Sequence, residues 1–190
     1  MSERLPLSVL LTARMQARIA VALYGGREGL HALVREIRKE AKAETPSREI
    51  FCQCKWFPVG HIQAGALIFK DHVHISVCGT NDWSDIIDNL RARQIREAHR
   101  GYSDAANYLW LEFENQRLFE ETRFRPLVLG GHSAGGAIAQ LLSTRRNLAP
   151  REIVTFGSPG VFGQRAALAY QNNPWPHYRF VFSNDPVPKL

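Results

Sequence analysis

No apolar run in the 190-residue chain reaches the ~20 residues that a membrane-spanning helix requires. Leu7 to Tyr24 comes nearest, but Arg14 and Arg18 interrupt it. Leu7, Leu10, Leu11, Met15, Ile19, Ala22 and Leu23 recur there at helical spacing, which predicts an amphipathic core helix. A secretory leader would carry an unbroken apolar centre behind its charges, and none is found, which favours a cytoplasmic location. Cysteine is scarce as well. Cys52 and Cys54 share one face of a strand-like run and are poorly placed to bond each other, while Cys78 stands alone. No Cys/His spacing suits zinc, so the cysteines read as small buried hydrophobes in a reducing compartment, and neither metal nor cofactor is expected. Internal repeats, low-complexity tracts and linkers are missing too. Residues 1–190 therefore read as a single domain with enough length to bury a proper core.

Acidic residues are the minority, and the net charge is +6. The densest basic segment is Arg91-Ala92-Arg93-Gln94-Ile95-Arg96, followed by Arg100. It carries no interleaved aromatics and no recognition motif, which argues against a nucleic-acid partner. A solvated arginine-rich loop is the expectation, with peripheral attraction to anionic lipid headgroups as the functional alternative.

After the first helix, Leu30, Leu33, Val34, Ile37 and Ala41 mark a second, ending before Pro46. Strand-like runs follow at Ile50 to Phe57, Ile62 to Phe69 and Val73 to Cys78. Asn81 to Leu90 reads as a loop turning into a short helix, and Tyr102 to Glu121 as a long amphipathic helix. Later come strands at Pro126 to Gly130, Ile153 to Phe156 and Tyr178 to Phe182, with helices after Gly136 and near Gln164 to Tyr170. Strands alternating with helices after an antiparallel start predict an α/β protein: a mixed, mostly parallel sheet with helices on both faces. Sites in such sheets gather at the carboxyl ends of the strands. Ser133, Gly79-Thr80 and Asp185 all fall there.

Gly131-His132-Ser133-Ala134-Gly135 is a G-x-S-x-G turn between a short buried strand and an apolar helical run. That context is the one a nucleophile elbow requires. A serine hydroxyl is a weak nucleophile and needs a base to take its proton, an acid to orient the base, and an oxyanion hole for the developing charge. Ala134 follows the serine, so its N–H can supply one oxyanion donor, and Thr80 can supply another. Taken alone, Thr80 is an ordinary turn threonine and Asp185-Pro186 ordinary turn chemistry.

From about Gly60 onward the sequence resembles the class 3 lipases of the α/β-hydrolase fold. The resemblance rests on motifs in a fixed order: Gly79-Thr80-Asn81-Asp82, His99-Arg100-Gly101-Tyr102, Gly131 to Gly136, Thr155-Phe156-Gly157-Ser158-Pro159, and Asn184-Asp185-Pro186-Val187-Pro188. It implies Ser133 as nucleophile, Asp185 as triad acid, and Thr80 with Ala134 as oxyanion hole. It also implies a lid region that includes Asn81, Asp82, Trp83, Ile86 and Ile87, and a lipid or small ester as substrate. His99 and His132 match family positions that look structural. Cys78 stands where the family usually has an arginine, so a polar contact at that point is expected to be lost.

The base is the larger departure. In α/β-hydrolases the chain order is Ser, Asp, His, yet no histidine follows Asp185. His177 precedes the last strand, and at ~3.3 Å per residue that places it roughly 20 Å from Asp185, at the wrong end of the sheet. His72 and His74 sit before or inside a strand, well short of Thr80, while His31 and His61 have nothing to aim them at Ser133. His132 should point to the other side of the elbow, which leaves His99, in a loop after the lid, as the least unsuitable. The leading expectation is a serine ester hydrolase lacking the C-terminal segment that would hold its histidine. The alternatives are a catalytically impaired hydrolase fold serving as a binding module, and a site completed by a partner or second copy. Loss of a later strand would also leave the Tyr178–Phe182 edge open to self-association.

Overall fold

The computed structural model describes residues 5–45, 50–79, 95–145 and 147–189. The expectations for Thr80, for Asn81, Asp82, Trp83, Ile86 and Ile87, and for Arg91 and Arg93 lie outside these residues. Helix α1 (Leu7–Leu23) buries Val9, Ala13, Gln16, Ala20 and Leu23, one stripe at helical spacing. Helix α2 (Gly26–Glu44) buries Leu30, Leu33, Val34 and Ile37 in the same way.

The sheet contains β1 (Cys52–Val59), β2 (Ile62–Phe69), β3 (Val73–Cys78), β4 (Leu127–His132), β5 (Glu152–Phe156) and β6 (His177–Phe180), in that spatial order. The first two pairings are antiparallel and the rest parallel. Side chains alternate across it, as strand geometry requires. Val128 packs with Ala13 and Val154 toward α1, whereas Leu129 packs with Leu109, Phe113, Ile138 and Leu142 on the other face. Those last residues belong to α3 (Ile95–Asn115) and α5 (Ala134–Ser143); short α4 (Leu118–Glu121) lies between them in the chain, and α6 (Gln164–Gln171) precedes β6. A 3-10 turn at Val187–Lys189 follows Asp185. Helices therefore cover both faces, as the patterning predicts.

Three boundaries depart from the sequence reading. The helix expected over Tyr102 to Glu121 starts earlier, at Ile95, and breaks at Arg117, whose φ of 56° is left-handed and ends helical hydrogen bonding. Arg96, His99 and Arg100 are thus in a helix and not in a loop. The last strand runs His177–Phe180, because its partner β5 ends at Phe156, opposite Phe180; Val181 and Phe182 continue past the ladder, 49% and 87% exposed.

One buried and one half-buried imidazole make the fold acid-sensitive. His74 on β3 is bonded through Nδ1 to Gln16 Nε2 (3.3 Å), and burial, with His72 beside it, pushes its pKa down to about 3. His177 contacts Thr155 Oγ1 (2.9 Å) and Tyr170 Oη (3.1 Å), and burial, reinforced by Arg179, pushes it to about 4. The unfolded chain takes up both protons near pH 6.5 while the folded chain refuses them. Stability is therefore intact above that pH and is lost as pH falls toward 4, by on the order of a few kcal/mol. Thermal midpoints at pH 7 and pH 4.5 should differ by roughly 10 °C; a flat profile would mean these histidines are solvated.

Candidate active site

Strand β4 ends at His132 and α5 begins at Ala134, so Ser133 alone makes the turn. Its backbone sits at φ 54°, ψ −127°, a region that costs a non-glycine residue roughly 1–3 kcal/mol and persists only where the surroundings enforce it. The enforcement is visible. Ser133 N–H donates to Phe156 O (2.9 Å), extending the β4–β5 ladder by one residue, and Ser133 O accepts from Gly136 N–H (2.9 Å). Gly135 lies flat on the end of β3, where a Cβ would stand 2.1 Å from Val77 O, so no side chain fits. The serine is 1% exposed, and its Oγ has no hydrogen-bond partner among the described residues. The first turn of α5 presents the Ala134 N–H and the positive end of a helix beside it.

Asp185 arrives from the other side. A turn closed by Asp185 N–H to Phe182 O (3.0 Å) brings it back over the sheet, and its Oδ1 accepts from Val187 N–H (2.9 Å). Its Oδ2 rests against Gly157, at the end of β5: a Cβ there would lie 2.7 Å away, and φ of 53° disfavours one in any case. Asp185 also influences His132, whose pKa burial lowers and the aspartate's charge partly restores. At the end of β3, a Cβ on Gly79 would be 3.6 Å from Ala134 N, which puts the residue before Thr80 against the start of α5. Ser133, Ala134 and Asp185 are thus brought to one end of the parallel strands, as the sequence predicts; Thr80 and the lid residues lie outside the described residues.

The histidines with described side chains are elsewhere. His31 is exposed on α2, while His74 and His177 are bonded deep in or at the opposite end of the sheet. His132 points to the α1 face, where Tyr24 Oη meets its Nδ1 at 2.9 Å. His61 does reach the site's end of the sheet, because β2 begins opposite Cys78, but it is exposed in the β1–β2 turn, two strands from β4 and so ~10 Å away. For His99 only the helical backbone is described.

Two residues around the elbow went unnoticed in the sequence. Tyr24 closes α1 and reaches His132; its only signal is a half-polar side chain between an apolar helix and Gly25-Gly26. Gln140, buried on α5, donates to Ser158 Oγ (2.8 Å) and holds the loop after β5, to which Arg179 also donates at Ser158 O (2.8 Å). A lone glutamine in the apolar run Ala137 to Leu142 was the hint. Among the described residues, no group of three or more His, Cys, Asp or Glu could hold a metal ion, and no helix is long and apolar enough to cross a membrane.

A mixed sheet clad on both faces, with a strained serine turning from a central strand into a helix at its carboxyl end, defines an α/β-hydrolase-like protein. The family model for lipase (class 3) matches residues 75–190, and the chain belongs to that family of lipase-type hydrolases. Solved structures of fungal lipases share the fold. Lipase II from Rhizopus niveus is 18% identical with a TM-score of 0.63, the match covering 98% of this chain and 76% of that one. The triacylglyceride lipase of Rhizomucor miehei is 14% identical with a TM-score of 0.65 over the same shares. The lipase from Rhizopus microsporus var. chinensis is 18% identical, with 98% and 70% covered and a TM-score of 0.61. No curated protein matches the chain.

Proposed function

We propose that the protein is a serine carboxylic-ester hydrolase acting on a lipid or small ester through an acyl-enzyme on Ser133. The observation that carries this reading is the elbow itself: a non-glycine residue held at φ 54°, with a buried hydroxyl unpartnered among the described residues. Strain and an unsatisfied hydroxyl both cost stability, and they persist together where chemistry requires them. In this reading the Ser133 Oγ attacks the ester carbonyl, the alcohol leaves, and water then releases the acid. Ala134 N–H, joined by Thr80, receives the charge on the carbonyl oxygen. Asp185 orients the base, a histidine that the residue order of the fold places after it. No such histidine occurs within residues 1–190, so the base is assigned to a further segment or to a partner.

The test is covalent labelling. A fluorophosphonate should modify Ser133 in the wild type and not in Ser133→Ala, and p-nitrophenyl butyrate hydrolysis should fall with it. Absence of labelling, with hydrolysis unchanged in Ser133→Ala, in a protein that carries the segment or partner supplying the base would instead establish the binding-module reading.

Strand β6 pairs with β5 on one side, and Val181 and Phe182 extend beyond it exposed. An edge of this kind templates further strands. We assign it to self-association: light scattering should show mass rising with concentration, and Val181→Lys should suppress the rise. A wild type that stays monomeric at high concentration refutes the assignment.

A further inference from the structure

The phenol of Tyr24 occupies a position that the proposed chemistry leaves unused. Tyr24 is the residue after α1, and its N–H donates to Val21 O (3.2 Å), so the helix end fixes its backbone. Its Oη meets His132 Nδ1 at 2.9 Å, with the two rings edge to face at 6.1 Å. His132 is the last residue before Ser133. One strand over, the parallel register pairs Val77 with Gly131, which sets Cys78 beside His132. Cys78 is buried on the same face, in the cluster of Ile19, Leu23 and Leu30 against which Tyr24 packs. Burial pushes the Cys78 thiol up to about 11, and the Tyr24 hydroxyl nearby offsets part of that rise. When the phenol donates to Nδ1, the imidazole proton lies on Nε2. One side chain thus touches the ends of both strands that converge on the elbow.

We propose that Tyr24 is a positioning residue that clamps the end of β3 to the end of β4, holding Gly79 against the Ala134 N–H and keeping the Ser133 turn closed. Its catalytic consequence rests on the serine-hydrolase reading; the mechanical clamp does not. A nucleophile and an oxyanion donor that drift apart by ~1 Å lose rate by up to 100-fold with little change in ground-state binding.

Tyr24→Phe keeps the ring and its packing and removes only the hydroxyl. Two measurements on the whole chain separate the parts of the proposal. Amide hydrogen exchange at Ser133 and Gly136 should accelerate about tenfold, with exchange at Leu67 unchanged. In p-nitrophenyl butyrate hydrolysis, kcat should fall about tenfold or more while KM stays within twofold. Unchanged exchange at Ser133 and Gly136 overturns the clamp. Faster exchange with kcat unaffected overturns the positioning role in catalysis. Faster exchange in a protein whose wild type neither hydrolyses the ester nor labels with fluorophosphonate upholds the clamp and defeats the hydrolase reading alone.

Discussion

Ser133→Gly is expected to raise the thermal midpoint by about 2–6 °C while removing every trace of fluorophosphonate labelling. Glycine adopts φ 54° freely, which relieves a backbone cost of roughly 1–3 kcal/mol at this position. Deleting a buried hydroxyl that has no described partner recovers a further ~1–3 kcal/mol of lost solvation. Against these stands the greater freedom of glycine in the unfolded chain, about 0.5–1 kcal/mol. At the low end of each range the balance favours the variant by ~1–1.5 kcal/mol, and each kcal/mol is worth ~2–4 °C in a domain of this size. Ser133→Ala should gain less, because it removes the hydroxyl but keeps the strain. A fall in midpoint for Ser133→Gly would show that the hydroxyl is engaged in the folded state and would argue against an idle nucleophile.

Gly135→Ala should have the opposite effect and a larger one: loss of soluble folded protein, or a midpoint lowered by more than about 10 °C. The added methyl carbon would lie 2.1 Å from Val77 O, 2.6 Å from Val77 C and 2.9 Å from Cys78 C. These are backbone atoms inside a paired strand and cannot turn aside as a side-chain tip can. Relief requires β3 and α5 to separate, which opens the packing of Val77 against Ile138 and Ala139. The cost exceeds the ~1–3 kcal/mol of ordinary overpacking. Gly101→Ala is the control: on α3 a Cβ there would meet nothing within 4 Å among the described residues, and alanine should stabilise by up to ~1 kcal/mol. Equal effects at the two positions would show that the elbow does not sit as tightly on β3 as the geometry requires.

Much of this was readable in the sequence because it is local. The strand-like runs Ile62 to Phe69 and Val73 to Cys78, and the strand–turn–helix around Ser133, depend on neighbours a few residues apart. The antiparallel start and parallel continuation followed from the order of those elements. What escaped was set by tertiary contact. Arg117 breaks a continuous helical pattern because the chain must turn toward β4, and nothing in Gln116-Arg117 announces a left-handed residue. Tyr24 and His132 are 108 residues apart, and no periodicity links them. The position of His61 at the site's end of the sheet follows from the hairpin register and not from its own neighbours. Asp185 follows the last strand and so falls at its carboxyl end, but nothing local marks Gly157 as the glycine it rests on.

The sheet's spatial order repeats the order of the chain from β1 to β6. During synthesis each new strand therefore meets a finished neighbour, and no strand has to be inserted between two that already pair. Ser133 is an exception to that easy growth, because its N–H is satisfied only by Phe156 O, a carbonyl synthesised 23 residues later. Until β5 docks, the Ser133 turn has no clamp on that side. The backbone geometry at Ser133 therefore depends on a strand that the ribosome has yet to deliver when β4 and α5 are complete.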